Sequence, residues 1–211
     1  MSQHRHSEGL EQVYAARNEA ELTQAYAAWS SDYDRETAAS GYCLRFMIPA
    51  WVARHVRPGT GPILDAGCGT GLSGAYLQAL GYCDIEGLDF SRDMLAIAGT
   101  RGAYGALTEA VLGRPLPWRD GHFAAFFSTG VFTEGHVPAS SLDELARITR
   151  AGGHAIFTVR DVVLDKGGFR TKFAELEQAG RWRPVEESPL FRAFAVDEAD
   201  VLVKAFVFEI L

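Results

Sequence analysis

Cysteine is scarce in this chain, and its few copies are irregularly placed. Only Cys43, Cys68 and Cys83 occur among 211 residues, and no two of them have the close spacing of a metal-binding pair. So few thiols exclude a disulfide framework and give no zinc-ligand pattern. We therefore expect reduced cysteines, no metal site and a cytoplasmic location.

Long apolar runs and an excess of basic charge are also missing. No stretch approaches the roughly 20 apolar residues of a membrane span, and the first residues lack the apolar core of a secretory signal. Lys and Arg number 20 against 27 Asp and Glu, which gives a net charge of -7. Because an acidic surface repels phosphate backbones, we expect neither a membrane nor a nucleic acid as partner.

The chain does contain enough apolar material for one core. Its 211 residues, 47% of them hydrophobic, suit a single domain spanning residues 1–211. Residues 1–9 are polar and predict a flexible tail. Residues 10–57 carry apolar side chains at helical spacing and predict an N-terminal helical cap, interrupted at Pro49.

Strand and helix patterns alternate along the rest of the chain. The predicted strands are residues 63–64, 85–90, 103–112, 122–128, 155–159, 182–187 and 201–210, and the predicted helices include residues 72–80, 141–150 and 169–179. This alternation predicts an α/β fold with a doubly wound, mostly parallel sheet. Ligands of such sheets bind beyond the C-terminal ends of the strands. The polar residues expected at that edge are Asp65, Asp89, Ser128 and Arg160.

The most distinctive stretch is residues 62–74, with the sequence P-I-L-D-A-G-C-G-T-G-L-S-G. Three alternating glycines follow a strand that ends at Asp65, and they precede a helix. A glycine turn of this kind lets a nucleotide-like ligand lie against the main chain. Residues 69–74 also satisfy G-x-G-x-x-G, the dinucleotide fingerprint, so the glycines alone leave two cofactor classes open.

Two acidic residues bear on that choice. A carboxylate at Asp65 would repel the pyrophosphate of a dinucleotide, whereas S-adenosylmethionine has no phosphate and carries a cationic sulfonium and ammonium. Asp89 lies 24 residues later, at the end of the next predicted strand, and suits the ribose hydroxyls of either cofactor. The position of Asp65 therefore favours S-adenosylmethionine.

Four motifs resemble those of the class I S-adenosylmethionine-dependent methyltransferases. Residues 64–71, L-D-A-G-C-G-T-G, resemble motif I of that family, and residues 87–95, G-L-D-F-S-R-D-M-L, resemble its second-strand acid and following helix start. Residues 116–123, L-P-W-R-D-G-H-F, and residues 145–153, L-A-R-I-T-R-A-G-G, resemble the segments before its fourth and fifth strands.

Two further stretches narrow the resemblance. Residues 130–138, G-V-F-T-E-G-H-V-P, and the upstream set Tyr26, Trp29, Tyr33 and Asp34 are most similar to the methyltransferase-like protein 27 (Williams–Beuren region) group and its bacterial relatives. The resemblance implies a Rossmann-like, seven-stranded, mostly parallel sheet with an antiparallel last strand. It also implies that the N-terminal helices cap the cofactor site.

The resemblance implies a set of residues that contact S-adenosylmethionine. In the glycine turn and at the methionine end, these residues are Asp65, Ala66, Gly67, Gly69 and Gly71. Around the ribose and adenine they are Asp89, Phe90, Met94, Val111 and Leu112. Ser128 would face the sulfonium, and Tyr26 and Tyr33 would close over the cofactor. Three positions depart from the family pattern. Val111 replaces an adenine-binding acid, Ala124 an aspartate and Ala151 a proline, which indicates a divergent member.

The acceptor is expected to be a small, partly apolar molecule between the N-terminal helices and residues 184–200. Methyl transfer to a hydroxyl or an acidic carbon also benefits from a base. His136, after the predicted fourth strand, is the preferred catalytic base, with Glu134 and His154 as alternatives. Arg45 and Arg160 are candidate partners for an acceptor carboxylate.

Three functions therefore stay open at the level of sequence. The leading one is an S-adenosylmethionine-dependent methyltransferase of small molecules, by O-, N- or C-methylation. The second is an NAD(P)-dependent Rossmann oxidoreductase, because the glycine turn fits both cofactors. The third is a non-catalytic S-adenosylmethionine-binding protein, because several motif positions are altered.

Overall fold

Helices packed on a mixed sheet make up residues 8–135 and 137–211, which the computed structural model describes. The N-terminal helices are α1, Glu8–Ala15; α2, Glu19–Ala39; and α3, Leu44–His55. The side chain of Asn18 caps α2, because it accepts a hydrogen bond from the Glu21 N–H at 2.9 Å. Of the tail expected at residues 1–9, residues 1–7 lie outside the described residues, and the last two already belong to α1.

Helix α3 continues through Pro49, so the predicted interruption there is wrong. Proline in this position removes one helical hydrogen bond. The apolar face of the helix outweighs that loss, because Ile48 and Val52 are fully buried in a cluster with the sheet residues Ile63 and Phe127. Burial of such side chains contributes about 1.5–3 kcal/mol each.

The sheet runs in the order β3-β2-β1-β4-β5-β8-β6, with the short β7 paired to β8. Its strands are β1, Ile63–Ala66; β2, Ile85–Asp89; β3, Ala106–Glu109; β4, Phe123–Phe132; β5, Thr149–Arg160; β6, Trp182–Glu187; β7, Phe191–Arg192; and β8, Leu202–Ile210. Strands β1 to β5 pair in parallel, whereas β8 runs antiparallel to both β5 and β6. The seven-stranded path with its antiparallel last strand is therefore confirmed, and β7 is an addition that the sequence did not predict.

The connections between the strands carry the remaining helices. These are α4, Leu72–Ala79; α5, Arg92–Thr100; α6, Ser141–Ile148; α7, Asp161–Leu164; and α8, Phe169–Gln178. Ser91 caps α5 by accepting the Met94 N–H at 3.3 Å, as predicted. Gly81 follows α4 with φ 93°, the left-handed conformation that ends helices.

Strand β4 lies at the centre of the sheet, and residues 123–128 of it are all buried, as expected for a strand covered on both faces. The strand does not end at Ser128 as predicted. It continues to Phe132, which pairs with Val159, and the register shifts between Ser128 and Phe132. Gly130, with φ 70°, lies within that irregular stretch.

Helices α1 and α2 pack on the C-terminal part of the chain through an apolar cluster that includes Leu10, Val13, Trp29, Phe194 and Val203. This packing holds the two helices near the glycine turn. No helix within the described ranges is both long and apolar enough to cross a membrane.

Candidate functional site

The glycine turn connects β1 to α4 in a left-handed backbone conformation, with φ of 82° at Gly67, 53° at Gly69 and 82° at Gly71. A Cβ on Gly67 would lie 2.3 Å from Val131 Cγ2, and one on Gly71 would lie 2.9 Å from Ala98 Cβ. A Cβ on Gly69 would meet no atom within 4 Å. Internal packing therefore requires the outer two glycines, whereas the middle one borders open space.

Asp89 fixes the middle of this turn. Its Oδ2 accepts the Gly69 N–H at 2.8 Å, and its Oδ1 accepts the Ser91 N–H at 2.9 Å. Burial raises the pKa of Asp89, while these backbone hydrogen bonds lower it. Each carboxylate oxygen keeps a second lone pair, so Asp89 can still accept hydrogen bonds from a ligand.

Asp65 is a buried carboxylate at the end of β1. Tyr104 donates a hydrogen bond to Asp65 Oδ2 at 2.7 Å, but Asp65 Oδ1 is buried and has no hydrogen-bond partner among the described residues. Burial raises the pKa of Asp65 to about 7, against the lowering effect of the Tyr104 hydrogen bond, and the charge of Asp89 raises it further. A buried acceptor without a donor is costly, so this oxygen suits a ligand that donates a hydrogen bond or carries a positive charge.

A cleft that is partly open to solvent lies against the turn. It brings together nine of the thirteen residues predicted to contact the cofactor: Tyr26, Tyr33, Gly67, Gly69, Asp89, Phe90, Met94, Val111 and Leu112. The adenine-side residues Val111 and Leu112 lie in an apolar stretch with Ala110, which also lines the cleft. The Val111 position therefore contributes apolar contact where the family pattern has an acid.

A smaller recess adjoins this cleft and shares Tyr33, Gly67, Gly69 and Thr129 with it. Asp65 lines the recess, and so does Arg45 from α3. Arg45 is 7% exposed, and its Nε donates to the Tyr42 carbonyl at 3.1 Å. The recess therefore contains one buried anion and one buried cation.

Ala66, Gly71 and Ser128 line neither cavity. Ser128 is fully buried, and its hydroxyl donates to the Ala66 carbonyl at 2.7 Å, so it holds β4 to β1 and does not face the cleft. The neighbouring Thr129 lines both cavities instead, and its buried Oγ1 has no hydrogen-bond partner within the described ranges. Alternation along β4 puts these two side chains on opposite faces of the sheet, but the sequence does not tell which face borders the cleft.

Helix α2 closes over the cleft through Tyr26 and Tyr33. The Tyr26 ring meets Phe90 edge-on, with 5.8 Å between the ring centroids. Asp34, next along the helix, accepts a hydrogen bond from the Thr70 hydroxyl at 2.6 Å and pairs with Arg101. These contacts attach the cap directly to the glycine turn, because Thr70 lies between Gly69 and Gly71.

A third cavity adjoins the cleft and shares Tyr26, Tyr33 and Gly130 with it. Apolar side chains dominate its lining, among them Trp29, Leu44, Phe132, Phe194 and Val203. The region of residues 184–200, expected to contact the acceptor, contributes Ala193 and Phe194. This cavity is the candidate acceptor site.

The expected catalytic base His136 lies outside the described residues. Glu134 is exposed and forms an ion pair with Arg160 at 2.8 Å. His154 does not serve the site, because it lies on β5 six residues before the C-terminal edge, about 20 Å away along the strand. Its ring instead packs near His55, with 5.9 Å between the ring centroids.

Known methyltransferases resemble this chain in sequence. The family described as a methyltransferase domain matches residues 64–157. Human methyltransferase-like protein 27 is 33% identical over an alignment of 195 residues, and the match covers 85% of this chain and 77% of that protein. The 18S rRNA (guanine(1575)-N(7))-methyltransferase of Saccharomyces cerevisiae is 44% identical over 66 residues, 31% of this chain and 24% of its own length.

A similar solved structure is a TehB-like SAM-dependent methyltransferase from Corynebacterium glutamicum. It has a TM-score of 0.62 and 20% identity, over 89% of this chain and 100% of that chain. At this identity the likeness concerns the fold.

Proposed function

The chain belongs to the class I S-adenosylmethionine-dependent methyltransferases, and we propose that it methylates a small, partly apolar molecule held behind Tyr26 and Tyr33. The methyl donor is S-adenosylmethionine, the cofactor of the family. The acceptor and the role of each site residue are the proposed parts.

The recess with one buried anion and one buried cation carries the proposal. The amino-acid end of S-adenosylmethionine has an ammonium and a carboxylate close together, and Asp65 and Arg45 offer the opposite charges. Asp65 Oδ1 lacks a donor that an ammonium would supply. A dinucleotide would instead bring a pyrophosphate towards Asp65, which Coulomb repulsion disfavours.

The adjoining cleft suits the nucleoside. Asp89 would accept hydrogen bonds from the ribose hydroxyls, Met94 and Val111 would cover the adenine with apolar surface, and Tyr26 and Phe90 would close the cleft. Because a Cβ on Gly69 would enter open space at the border of both cavities, the turn leaves room for a ligand against its main chain. The residues present therefore fit the cofactor.

When bound, the sulfonium supplies an activated methyl group and a neutral thioether as leaving group. The protein's part is to orient the acceptor and to exclude water. Tyr26, Tyr33 and Gly130 line both the cofactor cleft and the acceptor cavity, so the transfer would take place where the two spaces adjoin. Glu134, the alternative base expected from the sequence, is exposed, pairs with Arg160 and lines neither cavity, so it is not assigned a role in proton transfer.

Thermal unfolding with different cofactors tests the donor assignment. We expect S-adenosylhomocysteine to raise the melting temperature and NAD(P)H to leave it unchanged. Asp89→Ala is expected to weaken binding of S-adenosylhomocysteine by about 1.5–3 kcal/mol, as for lost hydrogen bonds to a charged group. Ser91→Ala is the matched control, since it removes the cap of α5 and leaves the carboxylate. An unchanged dissociation constant for Asp89→Ala would refute its ribose role.

An acceptor screen tests the small-molecule assignment. The protein is incubated with methyl-labelled S-adenosylmethionine and either a metabolite extract or purified RNA. We expect label in small molecules and none in RNA, because the net charge of -7 opposes binding to a polyanion. Label in RNA alone would contradict this part of the proposal and leave the donor assignment intact.

A further inference from the structure

The acceptor cavity is lined by one positively charged side chain, that of Arg160, and by no acidic one among the described residues. The whole chain carries a net charge of -7, so a cavity with a positive charge and no acidic lining is not what average composition would give. Such a cavity favours an anion over a neutral molecule and disfavours a cation.

Arg160 is a largely buried residue at the end of a central strand. It is the last residue of β5, and its side chain is 10% exposed. Its Nη1 donates to Glu134 Oε2 at 2.8 Å, but the Glu134 side chain is 54% exposed and approaches from the solvent side. Because the Glu134 carboxylate is more than half exposed, water can solvate it when a ligand carboxylate shares Arg160 with it or replaces it.

Thr133 adds a second polar group to the same cavity. It lines the cavity together with Arg160, and its Oγ1 is buried with no hydrogen-bond partner among the described residues. A threonine hydroxyl can donate one hydrogen bond to a carboxylate. The apolar side chains of Phe132, Phe194 and Val203 surround the rest of the space.

We propose that the methyl acceptor is a small carboxylic acid with an apolar body, whose carboxylate Arg160 and Thr133 anchor. This inference rests on the proposed function. Arg160 lines the acceptor cavity and not the cofactor cleft, whereas Tyr26 and Tyr33 line both. The carboxylate is therefore the anchor, and the opposite end of the molecule faces the cofactor and receives the methyl group. Acceptors that bind as ammonium ions are disfavoured.

Three probes with one body and different head groups test this inference. They are 3-phenylpropionate, 3-phenylpropionamide and 3-phenylpropylamine, titrated by calorimetry into the protein saturated with S-adenosylhomocysteine. We expect the acid to bind about tenfold or more tightly than the amide, because a charge-assisted pair is lost, and the amine to bind more weakly still. Equal affinity of the three probes, or preference for the amine, would overturn the inference.

Variants assign the preference to its residues. Arg160→Met is expected to lose the advantage of the acid over the amide, and Arg160→Lys to keep part of it. Arg170→Met is the control, because it removes the same charge at a side chain that is 46% exposed and pairs with Asp165 outside the cavity. Glu134→Gln is expected to tighten binding of the acid by removing a competing carboxylate, and weaker binding would count against the inference.

Binding of S-adenosylhomocysteine distinguishes a failure of the proposed function from a failure of the anionic-acceptor inference. Arg160→Met should bind it as the parent protein does, which also shows that the variant is folded. If the parent protein itself fails to bind it, the proposed function fails. If the parent binds it but shows no preference among the three head groups, the function stands and only the anionic acceptor is refuted.

Discussion

Tyr104 donates a hydrogen bond to Asp65 Oδ2 at 2.7 Å, across 39 positions of sequence. The Tyr104 hydroxyl also accepts the Gly74 N–H at 3.2 Å, so the same group joins the acid of the glycine turn to the first turn of α4. Asp65 keeps its other oxygen without a partner in the described part of the chain. Tyr104 thus fixes the position of the Asp65 carboxylate, and one of its two oxygens stays able to accept a hydrogen bond.

This arrangement predicts a pH-dependent cost in stability. Because burial raises the pKa of Asp65 from 3.8 to about 7, the folded protein binds more protons than the unfolded chain between those values. Stability then falls as pH rises through that window, by about 1.4 kcal/mol per pH unit at most. Asp65→Asn removes the titrating carboxyl. The unfolding free energy of the variant, relative to that of the parent, should therefore increase as pH rises from 4 to 7.

Urea unfolding at several pH values measures this difference in unfolding free energy. Calorimetry measures how the affinity for S-adenosylhomocysteine changes over the same pH range. The parent should bind more weakly at pH 6 than at pH 8, because protonation neutralises Asp65. Asp65→Asn should bind weakly at both. A stability difference that does not change with pH would contradict the assignment.

Removing the Tyr104 hydroxyl should shift this behaviour. Tyr104→Phe takes a hydrogen bond from the ionised carboxylate, so we expect the pKa of Asp65 to rise further. The pH midpoint of S-adenosylhomocysteine binding should move up by about one pH unit, as for loss of a modest hydrogen bond to a charge. Tyr76→Phe is the control, because Tyr76 packs against Phe46 away from the cofactor cleft. An unmoved midpoint would sink this prediction.

Gly69→Ala should separate cofactor binding from folding. The added methyl group meets no protein atom within 4 Å but projects at the border of the cleft and the recess. We expect a stability loss of about 1–2 kcal/mol from the left-handed backbone and at least about tenfold weaker binding of S-adenosylhomocysteine. Gly102→Ala is a matched control, with φ 66° and equally open space, and it should show the stability loss alone. Equal effects of both variants on binding would contradict this prediction.

The contact between α2 and the glycine turn should set how fast the cofactor leaves. Asp34→Asn weakens the pairing with Arg101 and keeps a side chain that Thr70 can still contact. We expect the dissociation rate of S-adenosylhomocysteine to rise about tenfold, as for the loss of one charge-assisted interaction. Asp32→Asn on the same helix removes an exposed pair with Arg35 and should leave the rate unchanged. Stopped-flow fluorescence measures both rates.

Local sequence patterns predicted much of the fold because their physical causes are local. The apolar run of residues 122–128 forms the buried centre of β4. Ser91 caps α5, and the three glycines form the left-handed turn that their spacing indicated. Asp89 lines the cleft because it ends a parallel strand, and ligands of parallel sheets bind beyond the C-terminal ends of the strands.

The residues that sequence reasoning missed or misplaced depend on packing between distant segments. Arg45 was expected to pair with an acceptor carboxylate, but it lines the recess beside Asp65, because α3 packs against the sheet through Ile48 and Val52. Tyr104 reaches Asp65 from the segment before β3. Ser128 was assigned to the cofactor in place of Thr129, because the sequence marks the polar pair but not which of its members faces the cleft.

The wall that Tyr26 and Tyr33 contribute to two cavities has a consequence for the catalytic cycle. When one ligand orders a shared wall, the energetic benefit to the second ligand is reciprocal. An acceptor that strengthens retention of S-adenosylhomocysteine through this wall must itself be retained by S-adenosylhomocysteine in equal measure. Accumulating S-adenosylhomocysteine would then trap unreacted acceptor in a dead-end ternary complex, and sustained turnover would depend on removal of the spent donor.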